Sequence, residues 1–160
     1  MDLDKLKEEL IADEGQKLND DGQHIIYLDH LGYKTFGYGT LVTEWDEEYD
    51  YEVGTVVSQE RVDECFDKFL KVCIKDCRTI YPNFDKLPEE AQRILANMSY
   101  NLGFNRLKGF QKLQASIVDQ DFARAAIEMQ DSKWAKVDVP NRANRLIERM
   151  KPLTLFVRHD

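Results

Sequence analysis

Two carboxylates and one hydroxyl are the residues of this chain most able to do chemistry together. Asp13-Glu14-Gly15 sets a glutamate where an amphipathic helix stops. The run Tyr27-Leu28-Asp29-His30-Leu31-Gly32-Tyr33-Lys34-Thr35-Phe36-Gly37-Tyr38-Gly39-Thr40 then sets an aspartate and a threonine in a glycine-punctuated hairpin. Carboxylates drawn from a helix end and a sheet are what hydrolysis of a glycosidic bond requires. One protonates the leaving sugar oxygen, and the other stabilises or attacks the cationic side. Taken singly, Asp29 also reads as a turn carboxylate and Thr35 as an ordinary strand residue, so the set carries the chemistry.

The elements that must position these groups follow from periodicity. Leu3, Leu6, Leu10 and Ile11 recur at helical spacing over residues 2–13, and Gly15 is the stop. Glu14 thus falls beside a helix C-terminus, where the dipole disfavours a negative charge, an awkward place for a residue that serves only solubility. Asp20-Asp21-Gly22 signals a tight turn. His24–Leu28 and Lys34–Tyr38 read as strands, and Leu41-Val42-Thr43 continues the second. Residues 44–55 are acidic and aromatic; Trp45, Tyr49 and Tyr51 are placed either to stack on sugar rings or to pack within their own loop.

Ser58 reads as the N-cap of a long helix to about Ile80, with Val62, Cys65, Phe66, Phe69, Cys73, Ile74 and Cys77 on its apolar face and Tyr81-Pro82 as its break. Further helices are expected from Pro88 to a stop at Gly103, and over Phe110 to Val118, Phe122 to Gln130 and Pro140 to about Met150. The expected fold class is α+β: one domain over 1–160, with a small β-containing lobe at about 12–57 and a connecting helix at about 58–80. The N-terminal helix joins about 81–160 in a larger helical lobe, with a cleft between the lobes.

At 160 residues and 42% apolar composition, the chain can bury a core without disulfide staples. The three cysteines, Cys65, Cys73 and Cys77, are an odd set in one helical stretch without a partner motif for metal. They read as small core or surface residues. No run reaches the length of a membrane span, and the acidic start Met1-Asp2-Leu3-Asp4 has no basic-then-apolar leader. Of the net −8, residues 1–60 carry 16 acidic against 4 basic side chains. Such a field repels nucleic acid, so nucleic-acid binding is not expected. The more basic C-terminal part, 14 acidic against 18 basic, is compatible with holding an anionic polymer from one side or with ordinary surface charge.

The paired motifs resemble phage-type lysozymes, the muramidase family of the T-even phages. The resemblance extends along the chain through Asn97-Met98-x-Tyr100-Asn101-x-Gly103, Gly109-Phe110, Ser132-Lys133-Trp134 and Pro140-Asn141-Arg142-Ala143-x-Arg145. It implies a lysozyme-like fold with Glu14 as the general acid and Asp29 and Thr35 across the scissile bond, positioning the attacking water. It also implies Leu41, Tyr100, Asn101 and Arg142 as substrate-binding residues, with Arg142 the arginine that pairs with the glutamate. Asn97, Asn101 and Trp134 read equally well as satisfying a buried helix–helix contact.

This chain departs from the family pattern in four ways. An insertion over 16–23 lengthens the step from Glu14 to Asp29, and residues 43–58 are shorter than usual and expected to lack a short helix. Thr40 stands where the best-known relatives have histidine, and the chain is acidic where T-even-type enzymes are basic.

The resemblance implies an endolysin that hydrolyses the β-1,4 bond between N-acetylmuramic acid and N-acetylglucosamine in peptidoglycan. Such an enzyme is expected to be a monomer without cofactor or metal and with no membrane partner. It would collect in the host cytoplasm and depend on a holin to reach the wall. The rivals are a catalytically silent wall-binding or virion protein on the same scaffold and a hydrolase of chitin-like glycans.

Overall fold

The computed structural model describes residues 1–153; residues 154–160, assigned above to the helical lobe, lie outside the described residues. The fold is α+β, with helices dominant and three short antiparallel strands in one sheet. Helix α1 spans Leu3–Glu14, α2 Gln59–Ile80, α3 Glu89–Leu102, α4 Phe104–Lys108, α5 Gln111–Val118, α6 Phe122–Gln130 and α7 Pro140–Met150. Strands β1 (Tyr27–Leu28), β2 (Lys34–Phe36) and β3 (Thr40–Leu41) lie in the order β1-β2-β3. The chain divides into two compact units, Lys7–Lys71 and Met1–Leu6 with Val72 onward, so that both boundaries fall inside helices α1 and α2.

The sheet belongs to the Lys7–Lys71 unit and is smaller than the sequence pattern predicts. His24 and Ile25 are not part of a strand; they make isolated bridges to Leu18 and Val56. Gly37–Gly39 is a turn, and Thr40–Leu41 is a separate strand that folds back on β2 instead of prolonging it. The reason is backbone sign. Gly37 has φ +61° and Gly39 φ +81°, a region that glycine enters freely, so the chain reverses there. Residues 16–23 close as a hairpin around Asn19, whose Oδ1 accepts from the N–H groups of Asp21 and Gln23. Beneath the sheet Phe36, Tyr38, Val57, Val62, Phe66 and Leu70 are buried, and the Tyr38 and Phe66 rings meet edge to face at 4.9 Å.

Ser58 caps α2, its Oγ accepting from the Arg61 N–H at 3.1 Å. The buried face of α2 is Val62, Phe66, Leu70, Cys73, Ile74, Cys77 and Ile80. Phe69, predicted inside, is exposed, and Leu70 takes its place because the helical repeat from Phe66 reaches position 70 squarely. Cys65 is half-buried. Residues 43–58, expected to lack a short helix, contain one 3-10 turn, Glu47–Asp50.

The second unit is a helical core closed around α3, which is buried from Ala91 to Tyr100 and ends at Gly103 with φ +81°. Helix α4 was not legible in the sequence because it is one short turn between two glycines. Burial pushes the Cys73 thiol up to about 11 and the Cys77 thiol higher still, so both act as small apolar residues.

Candidate active site

Glu14 closes α1. The next residue, Gly15, has φ +72° and donates its N–H to Ile11 O at 2.9 Å, which ends the helix and releases the chain. The Glu14 side chain is directed to the β2–β3 turn. Its Oε1 lies 2.7 Å from the position that a Cβ on Gly39 would occupy. Glycine at 39 therefore does two things: it permits the positive φ of the turn and leaves room for the carboxylate.

Asp29 terminates β1 and organises the β1–β2 connection. Its Oδ1 accepts from the N–H groups of Leu31 and Tyr33, both at 2.9 Å, while its own N–H donates to Tyr33 O. These bonds are those of the turn carboxylate in the sequence reading of Asp29. One oxygen holds the loop, which leaves Oδ2 for another partner. Thr35, in the middle of β2, is 2% exposed and donates its Oγ1–H to Tyr33 O at 2.9 Å. Its proton is committed to the backbone, so towards any further group Oγ1 acts as an acceptor.

Cross-strand register places Tyr27 opposite Thr35 on one side and Leu41 opposite it on the other. Directly opposed residues share a face of the sheet, so Tyr27, Thr35 and Leu41 form one row. Leu41 is exposed at the edge of that row. Tyr27 is the residue that sequence reasoning missed. Burial and then the negative charges of Glu14 and Asp29 push its hydroxyl upward, partly offset by a hydrogen bond from the Gly39 backbone. Tyr27 thus feels both carboxylates and keeps its proton. The Lys17 ammonium lies 6.0 Å from its ring centroid. The available signal was the Tyr-x-Asp spacing, which puts residues 27 and 29 on one face of an extended chain.

The remaining candidates lie in the helical unit. Tyr100, in α3, is buried with only 7% of its surface accessible. Asn101 accepts the indole N–H of buried Trp134 at 2.7 Å, and Asn97 accepts the Arg142 Nε–H at 2.9 Å. These bonds supply the contact between helical segments in the sequence reading of Asn97, Asn101 and Trp134. Arg142 stands in the first turn of α7, behind Pro140, and is buried. A buried cation at a helix N-terminus is opposed by the dipole, as a carboxylate is at the end of α1. Among the described residues no group of three or more His, Cys, Asp or Glu is placed to hold a metal ion.

The sequence pattern of the family described as Phage lysozyme matches residues 20–151, beginning after Glu14. A protein called "Probable T4-type lysozyme 1" from Dictyostelium discoideum is 29% identical over 175 aligned positions, covering 96% of this chain and 97% of the relative. "Probable T4-type lysozyme 2" of the same organism is 30% identical with the same coverage.

Proposed function

Since the chain belongs to the phage lysozyme family and is a glycoside hydrolase of muramidase type, we propose that it cleaves the β-1,4 bond between N-acetylmuramic acid and N-acetylglucosamine in bacterial peptidoglycan. Glu14 is the general acid in this reading, delivering its proton to the glycosidic oxygen. Asp29 and Thr35 hold the attacking water: Asp29 Oδ2 accepts one O–H and takes that proton as the water oxygen bonds to the anomeric carbon, while Thr35 Oγ1 accepts the other O–H. Leu41 offers an apolar edge to the sugar; in the helical unit Arg142, Tyr100 and Asn101 are the proposed substrate-binding residues, Asn101 also holding the Trp134 indole. The observation that carries the proposal is the seating of the Glu14 carboxylate against Gly39, with Tyr27 in the field of both Glu14 and Asp29. A helix end and a strand end bring two acids around one tyrosine.

The biological setting we infer is release of phage progeny. A monomeric enzyme collects in the host cytoplasm and acts once a holin has opened the membrane. The relatives from a cellular organism favour a second setting for the same chemistry, in which a cell degrades bacterial wall. Expression in a bacterium with and without a holin separates the two: holin-dependent lysis supports the first, and lysis indifferent to a holin removes it.

The reaction itself is tested by digesting purified peptidoglycan with wild type and Glu14→Gln in parallel and weighing the products. Muropeptides ending in reducing N-acetylmuramic acid, lost by a factor of about 10²–10⁴ in the variant, are expected. Equal release by both proteins places the acid elsewhere, and chito-oligosaccharides as the preferred product turn the reading to chitin-like glycans. No release by either protein favours the silent wall-binding rival.

A further inference from the structure

The loop after β3 is held tightly, yet it presents its largest side chains to water. Trp45 is 87% exposed and Tyr49 is 52% exposed, with Tyr51 also at the surface. A tryptophan so exposed is unusual, because its large apolar ring is normally among the most buried surfaces of a fold.

The loop is not loose. Asp46 Oδ2 accepts the N–H and Oγ1–H of Thr43 at 2.8 and 3.0 Å. The Lys34 ammonium donates to the carbonyls of Tyr49 and Tyr51 at 3.1 and 2.7 Å. Glu48, whose side chain is 1% exposed, takes a two-pronged pair from Arg61, with Nε to Oε2 at 2.8 Å and Nη2 to Oε1 at 3.0 Å. Anchoring by a buried ion pair and by these bonds holds the loop backbone that carries the rings, so little backbone freedom is lost when a ligand stacks on them.

The charge of the loop is equally one-sided. Residues 44–55 hold Glu44, Asp46, Glu47, Glu48, Asp50 and Glu52 and no basic residue. The two cations that reach the loop, Lys34 and Arg61, are committed to the bonds just given. Glu44, Glu47, Asp50 and Glu52 are exposed and make no ion pair among the described residues. Aromatic rings beside unmatched carboxylates suit a ligand that is a sugar and a cation at once. The loop also continues from the row of the candidate active site. Trp45 is four residues beyond Leu41, the cross-strand partner of Thr35, so chain geometry limits the distance between the two α-carbons to about 14 Å.

We propose that Trp45, Tyr49 and Tyr51 form a binding surface for N-deacetylated glycan, aminosugar chains whose free ammonium groups meet Glu44, Glu47, Asp50 and Glu52 while their rings stack on the aromatics. The inference rests on the reading of this unit as a glycan hydrolase, and it narrows the substrate to walls that carry free glucosamine.

Tryptophan fluorescence tests it, because of the two tryptophans Trp45 is exposed and Trp134 is buried. The Glu14→Gln protein is titrated at pH 6 with glucosamine oligomers, N-acetylglucosamine oligomers and poly-lysine, so that binding is read without turnover. Glucosamine oligomers are expected to shift the Trp45 emission and to bind about tenfold more weakly after Trp45→Ala, after Glu47→Gln/Asp50→Asn, or in 1 M salt. Equal binding of the N-acetylated oligomers overturns the claim for free amines. Poly-lysine binding that ignores Trp45→Ala, with the glycan no better, reduces the surface to bare charge and overturns the claim for sugar. No response to any ligand overturns it outright.

Digestion by the active enzyme then distinguishes the source. Trp45→Ala is expected to slow digestion of both walls, and Glu47→Gln/Asp50→Asn to slow digestion of N-deacetylated peptidoglycan more than that of the acetylated wall. A loss confined to chitosan assigns the surface to that glycan instead. Should the active enzyme fail on every wall while the oligomers still bind, the hydrolase reading fails and the loop does not.

Discussion

The carboxylate of Glu14 occupies the space that a side chain at residue 39 would need, with Oε1 2.7 Å from the Cβ position on Gly39. Gly39→Ala therefore has to move the acid as well as strain a backbone at φ +81°. Gly54, at φ +95° with open space around its Cβ position, is the control for strain alone. Both alanine variants are expected to lose about 1–2 kcal/mol of stability. Only Gly39→Ala is expected to lose most of its wall-lytic rate. Equal rates in the two variants, measured beside denaturant midpoints, would separate the turn from the acid.

Asp29 holds the β1–β2 loop with one oxygen, and in the proposed reaction it uses the other. Asparagine retains an oxygen to accept from Leu31 and Tyr33, whereas alanine retains none. Asp29→Asn is expected to keep the thermal midpoint and lose hydrolysis, while Asp29→Ala loses hydrolysis and about 1 kcal/mol of stability as well. Full activity in Asp29→Asn would limit this residue to the turn.

Thr35 offers a sharper contrast within one position. Serine keeps the hydroxyl that donates to Tyr33 O and can still accept from water, while valine keeps the shape and loses both. Thr35→Ser is expected to stay within about tenfold of wild type, with Thr35→Val falling at least a further tenfold. A valine variant as active as serine would remove the hydroxyl from the mechanism.

The Glu48–Arg61 pair is a buried carboxylate with one partner in reach of solvent. The Glu48 carboxylate holds the Arg61 guanidinium protonated well above its ordinary range. Arg61→Ala leaves that carboxylate buried and unmatched, and is expected to cost about 3 kcal/mol. The double variant Glu48→Met/Arg61→Met should recover most of the loss. Urea midpoints measure both, and a single variant as stable as wild type would show that water reaches Glu48.

Stability of the helical unit should depend on pH through Glu90. Burial raises its carboxyl, but the hydrogen bonds and charges of Arg149 and Arg93 outweigh it and hold the group below the usual carboxylate range. A depressed native value stabilises the fold above the unfolded value, and the gain is lost as pH falls through the native one. Glu90→Gln is therefore expected to be less stable than wild type at pH 7, with the gap closing below about pH 4. A gap that persists in acid would assign the loss to packing.

Helices were the most legible part of the fold, because their apolar repeat is local. The start of α2 at Ser58, its end before Pro82, and α6 over Phe122–Gln130 could all be read from cap, breaker and period. The sheet was read less well. Its strands are two or three residues long, too short for an alternating pattern, and the reversal at Gly37–Gly39 depends on backbone signs that composition does not display. Phe69 and Leu70 exchanged places for a similar reason: adjacent apolar residues both fit a helical repeat, and only the packed neighbours decide which is buried.

By itself the sequence determined the family and the chemical types at the candidate site: a glutamate at a helix end, an aspartate and threonine in a hairpin, and glycines where the chain must turn. Those are properties of residue type and spacing, which exist before folding. Only the tertiary structure decided that Glu14 fills the space beside Gly39, that Tyr27 sits in the field of both carboxylates, and that Glu48 and Arg61 pin the loop that carries an exposed tryptophan. Apart from Tyr27 with Asp29, these relationships join residues well apart in the chain, and such contacts depend on close approach and exclusion of water. Neither is encoded at any single position.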